Sequence, residues 1–98
     1  MIQELELQFD GTGEVKDFHF SQVYKSDNAY IYEVNTGTKH YEVFKRKHTP
    51  ICLDFDNRIY SETEFKETYP KSKDFGVWAW TYKNIENALE KFRILNGN

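Results

Sequence analysis

Along most of this chain the apolar residues recur at every second position, and only near its end do they change to helical spacing. A chain patterned in this way builds a sheet and has a single dependable amphipathic helix with which to cover it. Leu5, Leu7 and Phe9 lie on one side of an extended segment and Glu4, Glu6 and Gln8 on the other, before Asp10-Gly11-Thr12-Gly13 turns the chain. A two-residue loop there would set Leu5 opposite Phe18 and Leu7 opposite the stem of Lys16, with Phe20 and Tyr24 continuing the face. Lys25-Ser26-Asp27-Asn28 supplies the next turn.

The strand through Tyr30, Tyr32 and Val34 ends at Asn35-Thr36-Gly37-Thr38, where Gly37 can take positive φ without a Cβ clash. Closing this hairpin between Asn35 and Thr38 predicts that Tyr32 pairs with Tyr41, Tyr30 with Val43 and Glu33 with His40. The following strand, Lys39 to Lys47, is expected to stop at Thr49-Pro50, because proline lacks the donor that a central strand needs. A shorter strand, Ile51 to Phe55, follows.

Tyr60-Ser61-Glu62-Thr63-Glu64-Phe65 offers a capping box between Ser61 and Glu64 and a hydrophobic staple between Tyr60 and Phe65. It predicts a short helix over 61–69, ended by Pro70, although the same residues also alternate as a strand would. Phe75 to Tyr82 reads as a strand with Trp78, Trp80 and Tyr82 on one side and the small residues Val77, Ala79 and Thr81 on the other. The small side is expected to receive the closing helix. There Ile85, Ala88, Leu89, Phe92 and Leu95 recur at helical spacing behind an Asn84 N-cap, with Gly97 at the C-terminal end.

These elements define an α+β fold with two layers, an antiparallel β-meander of five to six strands with a C-terminal helix packed on one face. The expected core is Leu5, Leu7, Phe18, Phe20, Ile31, Val34, Val43, Val77, Ala79, Ile85, Leu89 and Phe92. With 98 residues the chain is one domain's worth of material, read as a single domain over 1–98. A domain this small hides only about 60 to 65% of its unfolded surface, which leaves little room for an enclosed catalytic chamber.

Thirteen basic against sixteen acidic residues give a net charge of −3, which removes the bulk attraction to phosphate that most nucleic-acid-binding domains use. The lone Cys52 cannot form an intramolecular disulfide, and the acidic opening Met1-Ile2-Gln3-Glu4-Leu5-Glu6 is unlike a secretory signal. No stretch approaches the roughly 20 apolar residues of a membrane span. These features predict a reducing, cytoplasmic setting.

Motifs for chemistry are sparse. Asp54-Phe55-Asp56 has the spacing of a phosphotransferase nucleophile motif, but Arg58 stands where Thr or Val belongs, and the chain is too short for the parallel sheet such chemistry needs. A calcium-loop reading fails because Arg58 and Phe65 occupy ligand positions. A polar strand end and turn is the simpler reading. His19, His40, His48 and Cys52 form no metal-binding spacing, so no metal and no cofactor is expected, and the chain is not read as an enzyme.

Aromatic residues, 17% of the chain, are the informative feature. One long helix cannot cover both faces of a sheet that carries rings front and back. Trp78, Trp80 and Tyr82 therefore either form a second minicore under the 56–74 segment or make a contact surface, and in the second case Trp78, Trp80, Tyr30, Tyr32 and Tyr41 serve a protein partner or self-association. The alternative is a weak nucleic-acid interface on the basic run Lys45-Arg46-Lys47, near Tyr41 and Phe44.

Tyr41-Glu42-Val43-Phe44-Lys45-Arg46, Phe75 to Tyr82 and the closing helix together resemble a family of small bacterial proteins to which no activity is attached. The resemblance covers most of the chain and implies no catalytic residue. The order of strand, strand and helix is also similar to that of WGR domains, but the Trp-Gly-Arg element is absent, so the likeness is one of shape.

Overall fold

The computed structural model describes residues 2–97, leaving Met1, Asn98 and the side chain of Glu14 outside the description. Among the described residues there are eight strands: β1 (Ile2–Gln3), β2 (Gln8–Asp10), β3 (His19–Lys25), β4 (Ala29–Asn35), β5 (Lys39–Lys45), β6 (His48–Asp54), β7 (Ile59–Glu67) and β8 (Ala79–Tyr82). One helix follows, α1 (Ile85–Leu95). The strands form two sheets, a five-stranded antiparallel sheet ordered β2-β3-β4-β5-β8 and a three-stranded sheet ordered β1-β7-β6. The α+β architecture with a C-terminal helix on an antiparallel sheet is thus present, with a second sheet that the sequence pattern did not separate from the first.

The helix forms where its caps and spacing place it. Asn84 Oδ1 accepts from the Asn87 N–H at 2.9 Å, and Ala88, Ile85, Leu89, Phe92 and Leu95 pack on Ile31, Val43, Tyr41 and Tyr82. The opposite face of the sheet carries Phe20, Tyr30, Tyr32, Val34, Phe44 and Ala79, with Trp78 joining them from the preceding turn. Its cover is irregular chain rather than a helix, contributed by Leu5, Phe18, Tyr69 and Phe75. Tyr69 sets its ring edge-on to four others, Phe9, Phe20, Tyr32 and Phe44, with centroid separations of 4.8 to 5.5 Å. Such edge-to-face pairs add roughly 0.5 to 1.5 kcal/mol beyond the area they bury.

Several local expectations are corrected. The segment 61–69 is not a helix: residues up to Glu67 belong to β7, paired with β6. Its capping signal is real, since Ser61 Oγ accepts from the Glu64 N–H at 2.9 Å and from Thr63 N–H at 3.2 Å. The turn is absorbed as a bulge, because the ladder steps from Pro50 opposite Phe65 to Cys52 opposite Tyr60. Pairing across a nine-residue strand outweighs the few hydrogen bonds a helix ended by Pro70 could form.

Pro50 does not stop a strand but lies within β6, at the edge of its sheet, where a missing donor is tolerated. The 4–7 segment leaves the strand pattern to cross between sheets, so Leu7 is 70% exposed. The first turn is longer than two residues and carries a 3-10 turn at Gly13–Val15. Gly11 is required there, since a Cβ would lie 2.1 Å from the Val15 carbonyl oxygen.

The β4-β5 hairpin closes one residue away from the expected register, pairing Tyr32 with Glu42, Tyr30 with Phe44 and Glu33 with Tyr41. Asn35 pairs with Lys39, so the loop holds three residues, with Gly37 at φ 105° and its N–H donated to Asn35 Oδ1. The last strand begins only at Ala79, after a turn in which Gly76 takes φ 90°. That turn exchanges the two faces: Trp80 and Tyr82 lie opposite Val43 and Tyr41 on the helix side, Ala79 joins the aromatic core, and Val77 is 70% exposed.

Candidate functional site

The aromatic surface expected from the sequence is mostly interior. Tyr30 and Tyr32 have no exposed surface and Trp78 retains only 9%, because the chain crossing at 4–7 and the 68–78 segment cover that side of the sheet. These three rings offer no face to a partner. Trp80 and Tyr41 are half-buried on the helix side, with Lys91 Nζ 3.9 Å above the Trp80 ring. The structure therefore does not bring the five together as one surface.

The basic run is also divided. Lys45 ends β5 and is exposed, whereas Arg46 bridges the sheets. Its Nε donates to Glu67 Oε2 at 2.6 Å, one terminal nitrogen to Glu4 at 2.8 Å and the other to the Ser26 carbonyl at 2.9 Å. Its guanidinium carbon also lies 4.9 Å from the Tyr30 ring centroid. Burial disfavours the charge, but the hydrogen bonds Arg46 donates to Glu67 and Glu4 outweigh it and raise the Arg46 pKa. All three guanidinium nitrogens are engaged within the chain, so Arg46 has little left for phosphate.

Glu67, 8% exposed, is the hub of this network, accepting from the Tyr30 hydroxyl at 2.5 Å and from the Leu5 N–H at 3.2 Å. Glu4 also binds Lys25 at 2.6 Å, and the hydrogen bonds from Lys25 and then Arg46 hold its carboxyl below the usual range.

An open cleft of about 660 Å³ lies at the other end of the aromatic face, lined in part by Phe18, Phe20, Phe75 and Pro70. Glu42, Tyr69 and Lys71 are among its polar lining, with the Tyr69 hydroxyl donating to Glu42 Oε1 at 2.6 Å and His40 Nε2 3.2 Å from Oε2. Burial and the neighbouring Glu42 raise the Tyr69 pKa, so its hydroxyl stays protonated and acts as a donor rather than a base. Both carboxylate oxygens are engaged, and the arrangement locks the 69–75 segment onto β5.

Tyr30 is shifted in the same direction, by burial first and then by Glu67. Both tyrosines are neutral in folded and unfolded chains below an ordinary pKa of 10.0, so their contribution is fully present there. As pH rises above that value the unfolded chain releases protons that the folded chain retains, and stability falls. Urea midpoints at pH 9 and 11 should show this loss, and Tyr30→Phe/Tyr69→Phe should flatten it.

Exposed large apolar residues include Leu7, Val77 and Ile94, and four more lie on the β6-β7 hairpin. Phe55 is 84% and Leu53 64% exposed, and Ile59 and Tyr60 are about half exposed. The turn between them is ordered by Asp54, whose Oδ1 accepts from the Asp56 and Asn57 N–H groups and whose Oδ2 accepts from the Asn57 side chain. These bonds, led by the Asn57 side chain, lower the Asp54 pKa. Arg58 closes the turn at φ 53°, donating its N–H to the Phe55 carbonyl.

The acidic motif of the sequence is therefore a turn that holds a phenyl ring in water. Sequence reasoning passed over Phe55, although a large apolar residue flanked by two aspartates between strands was the available signal. Cys52 is exposed on the same hairpin, and among the described residues no group of three or more His, Cys, Asp or Glu is placed to hold a metal. No helix there is long and apolar enough to cross a membrane. Comparison with protein-family models, curated proteins and solved structures returned no match.

Proposed function

We propose that this protein is a non-enzymatic interaction module whose contact surface is the tip of the β6-β7 hairpin. The observation that carries the reading is Phe55, held 84% exposed on a turn stabilised by four hydrogen bonds. A large ring kept in water by an ordered turn contributes nothing to the core. Burying Phe55 in a partner would contribute about 1.5 to 3 kcal/mol.

The rim selects the partner's chemistry. Asp54 and Asp56 flank Phe55 in the chain, Glu62 and Glu64 follow on β7, and Arg58 is the one basic residue between Ile51 and Phe65. A symmetric second copy would bring these acids together, and Pro50 removes a donor from the free edge of β6. The fitting occupant is a different protein with an apolar socket flanked by Lys or Arg.

Phe55→Ser should leave stability within about 0.5 kcal/mol while weakening such a complex at least tenfold. The test purifies tagged wild type and Phe55→Ser from the native cell, then titrates the purified protein that only wild type retains. Salt-dependent, Phe55-dependent binding supports the reading. Retention of the same proteins by Phe55→Ser, or a wild-type dimer that Phe55→Ser dissociates, overturns it.

A further inference from the structure

A groove of about 310 Å³, lined by Trp78 and Tyr69, runs between the start of β6 and the 68–74 segment. Lys47, Lys71, Lys73 and His48 all line it, together with the hydroxyl-bearing Thr49 and Thr68. Among the described residues none of the three lysines lies within ion-pair distance of a carboxylate. In a chain of net charge −3 this is a local excess of positive charge. The one acid in the lining, Asp74, is turned to its own backbone, accepting from the Lys71 N–H at 2.9 Å.

We infer that this groove binds a compact ligand bearing two or more phosphoryl groups. Three ammonium groups, one from the start of β6 and two from the 68–74 segment, can each meet a different phosphoryl oxygen, and threonine hydroxyls donate to the remainder. Converging charge in a concave surface also concentrates anions there. The groove's size and Trp78 favour a compact ligand over a nucleic-acid strand. Trp78 is 9% exposed and Lys47 Nζ lies 5.1 Å from its ring centroid, so no free indole face is left on which a base could stack. The site draws on Lys47 of the basic run and not on Arg46, which the inter-sheet bridge consumes.

The probe is inorganic tripolyphosphate, titrated calorimetrically into the full chain, with a short oligothymidylate as the second arm. Saturable binding that weakens at least tenfold in Lys71→Ala/Lys73→Ala, weakens in Lys47→Ala and is unchanged in Lys45→Ala is expected. All four lysines are exposed, and circular dichroism verifies that each variant is folded. Absence of binding at millimolar tripolyphosphate, or binding indifferent to Lys71 and Lys73, overturns the inference. Tighter binding of the oligothymidylate that depends on Lys45 also overturns it, in favour of a strand interface.

Discussion

Replacing Arg46 with alanine is expected to destabilise the fold by about 3 kcal/mol, the cost of leaving a buried acid without its cation. Glu67 would keep its hydrogen bonds from Tyr30 and Leu5 but lose the charge that balances it in a site only 8% exposed. The same change leaves Glu4 with Lys25 alone and the Ser26 carbonyl without its Arg46 donor, loosening the join at three points at once. Lysine at this position should recover only part of the loss, because a single ammonium cannot reproduce the three-way fork. Urea unfolding followed by circular dichroism measures the effect. Arg46→Ala combined with Glu67→Gln should cost less than the two single changes summed, since each removes the other's partner. A loss below about 1 kcal/mol for Arg46→Ala would mean that backbone pairing alone joins the sheets.

This network also marks where sequence reasoning stops. Helix α1 is legible because its signals are local: an Asn84 cap, a first-turn Glu86 and an apolar period all lie within one segment. The Asn35 to Thr38 turn is legible as a turn, yet its three-residue closure differs by one from the two-residue form, and that single step changes every cross-strand pair. Ser61 announces a turn correctly, but whether it starts a helix or a bulge depends on β6, which lies at the far side of the Phe55 turn. Arg46 meets Glu67 and Glu4 at separations of 21 and 42 residues, and no periodicity reports such a meeting.

Cover for the aromatic face is the sharpest case. The shortage of helices is a sound observation, since only α1 packs on the five-stranded sheet. Of the two readings, exposed rings or a covered minicore, the first does not hold for Tyr30, Tyr32 and Trp78, because irregular chain can cover a sheet when it carries a suitable side chain, here Tyr69, with its hydroxyl satisfied by Glu42. Tyr69 sits in no apolar pattern, so nothing local marks it as core. The large apolar side chain left most exposed, Phe55, instead sits at a turn, where composition reads as polar.

Phe44→Ala tests this placement with the other large effect. Phe44 is fully buried, stacked with Tyr32 at 5.7 Å and edge-on to Tyr69 at 4.8 Å and to Trp78 at 6.3 Å. Removing the ring leaves a cavity bounded by other rings that are themselves fixed by hydrogen bonds through Tyr30, Tyr32 and Tyr69, so the site can collapse only in part. A cost of about 3 to 5 kcal/mol follows. For a domain of this size each kcal/mol shifts the midpoint by about 4 to 8 °C, so a fall of at least about 12 °C is expected. Phe55→Ala, which deletes the same ring from a site 84% exposed, should move it by only a few degrees. Were the rings of this face a contact surface instead of core, the two substitutions would shift the thermal midpoint alike, and Phe44→Ala would leave the Trp78 emission unchanged.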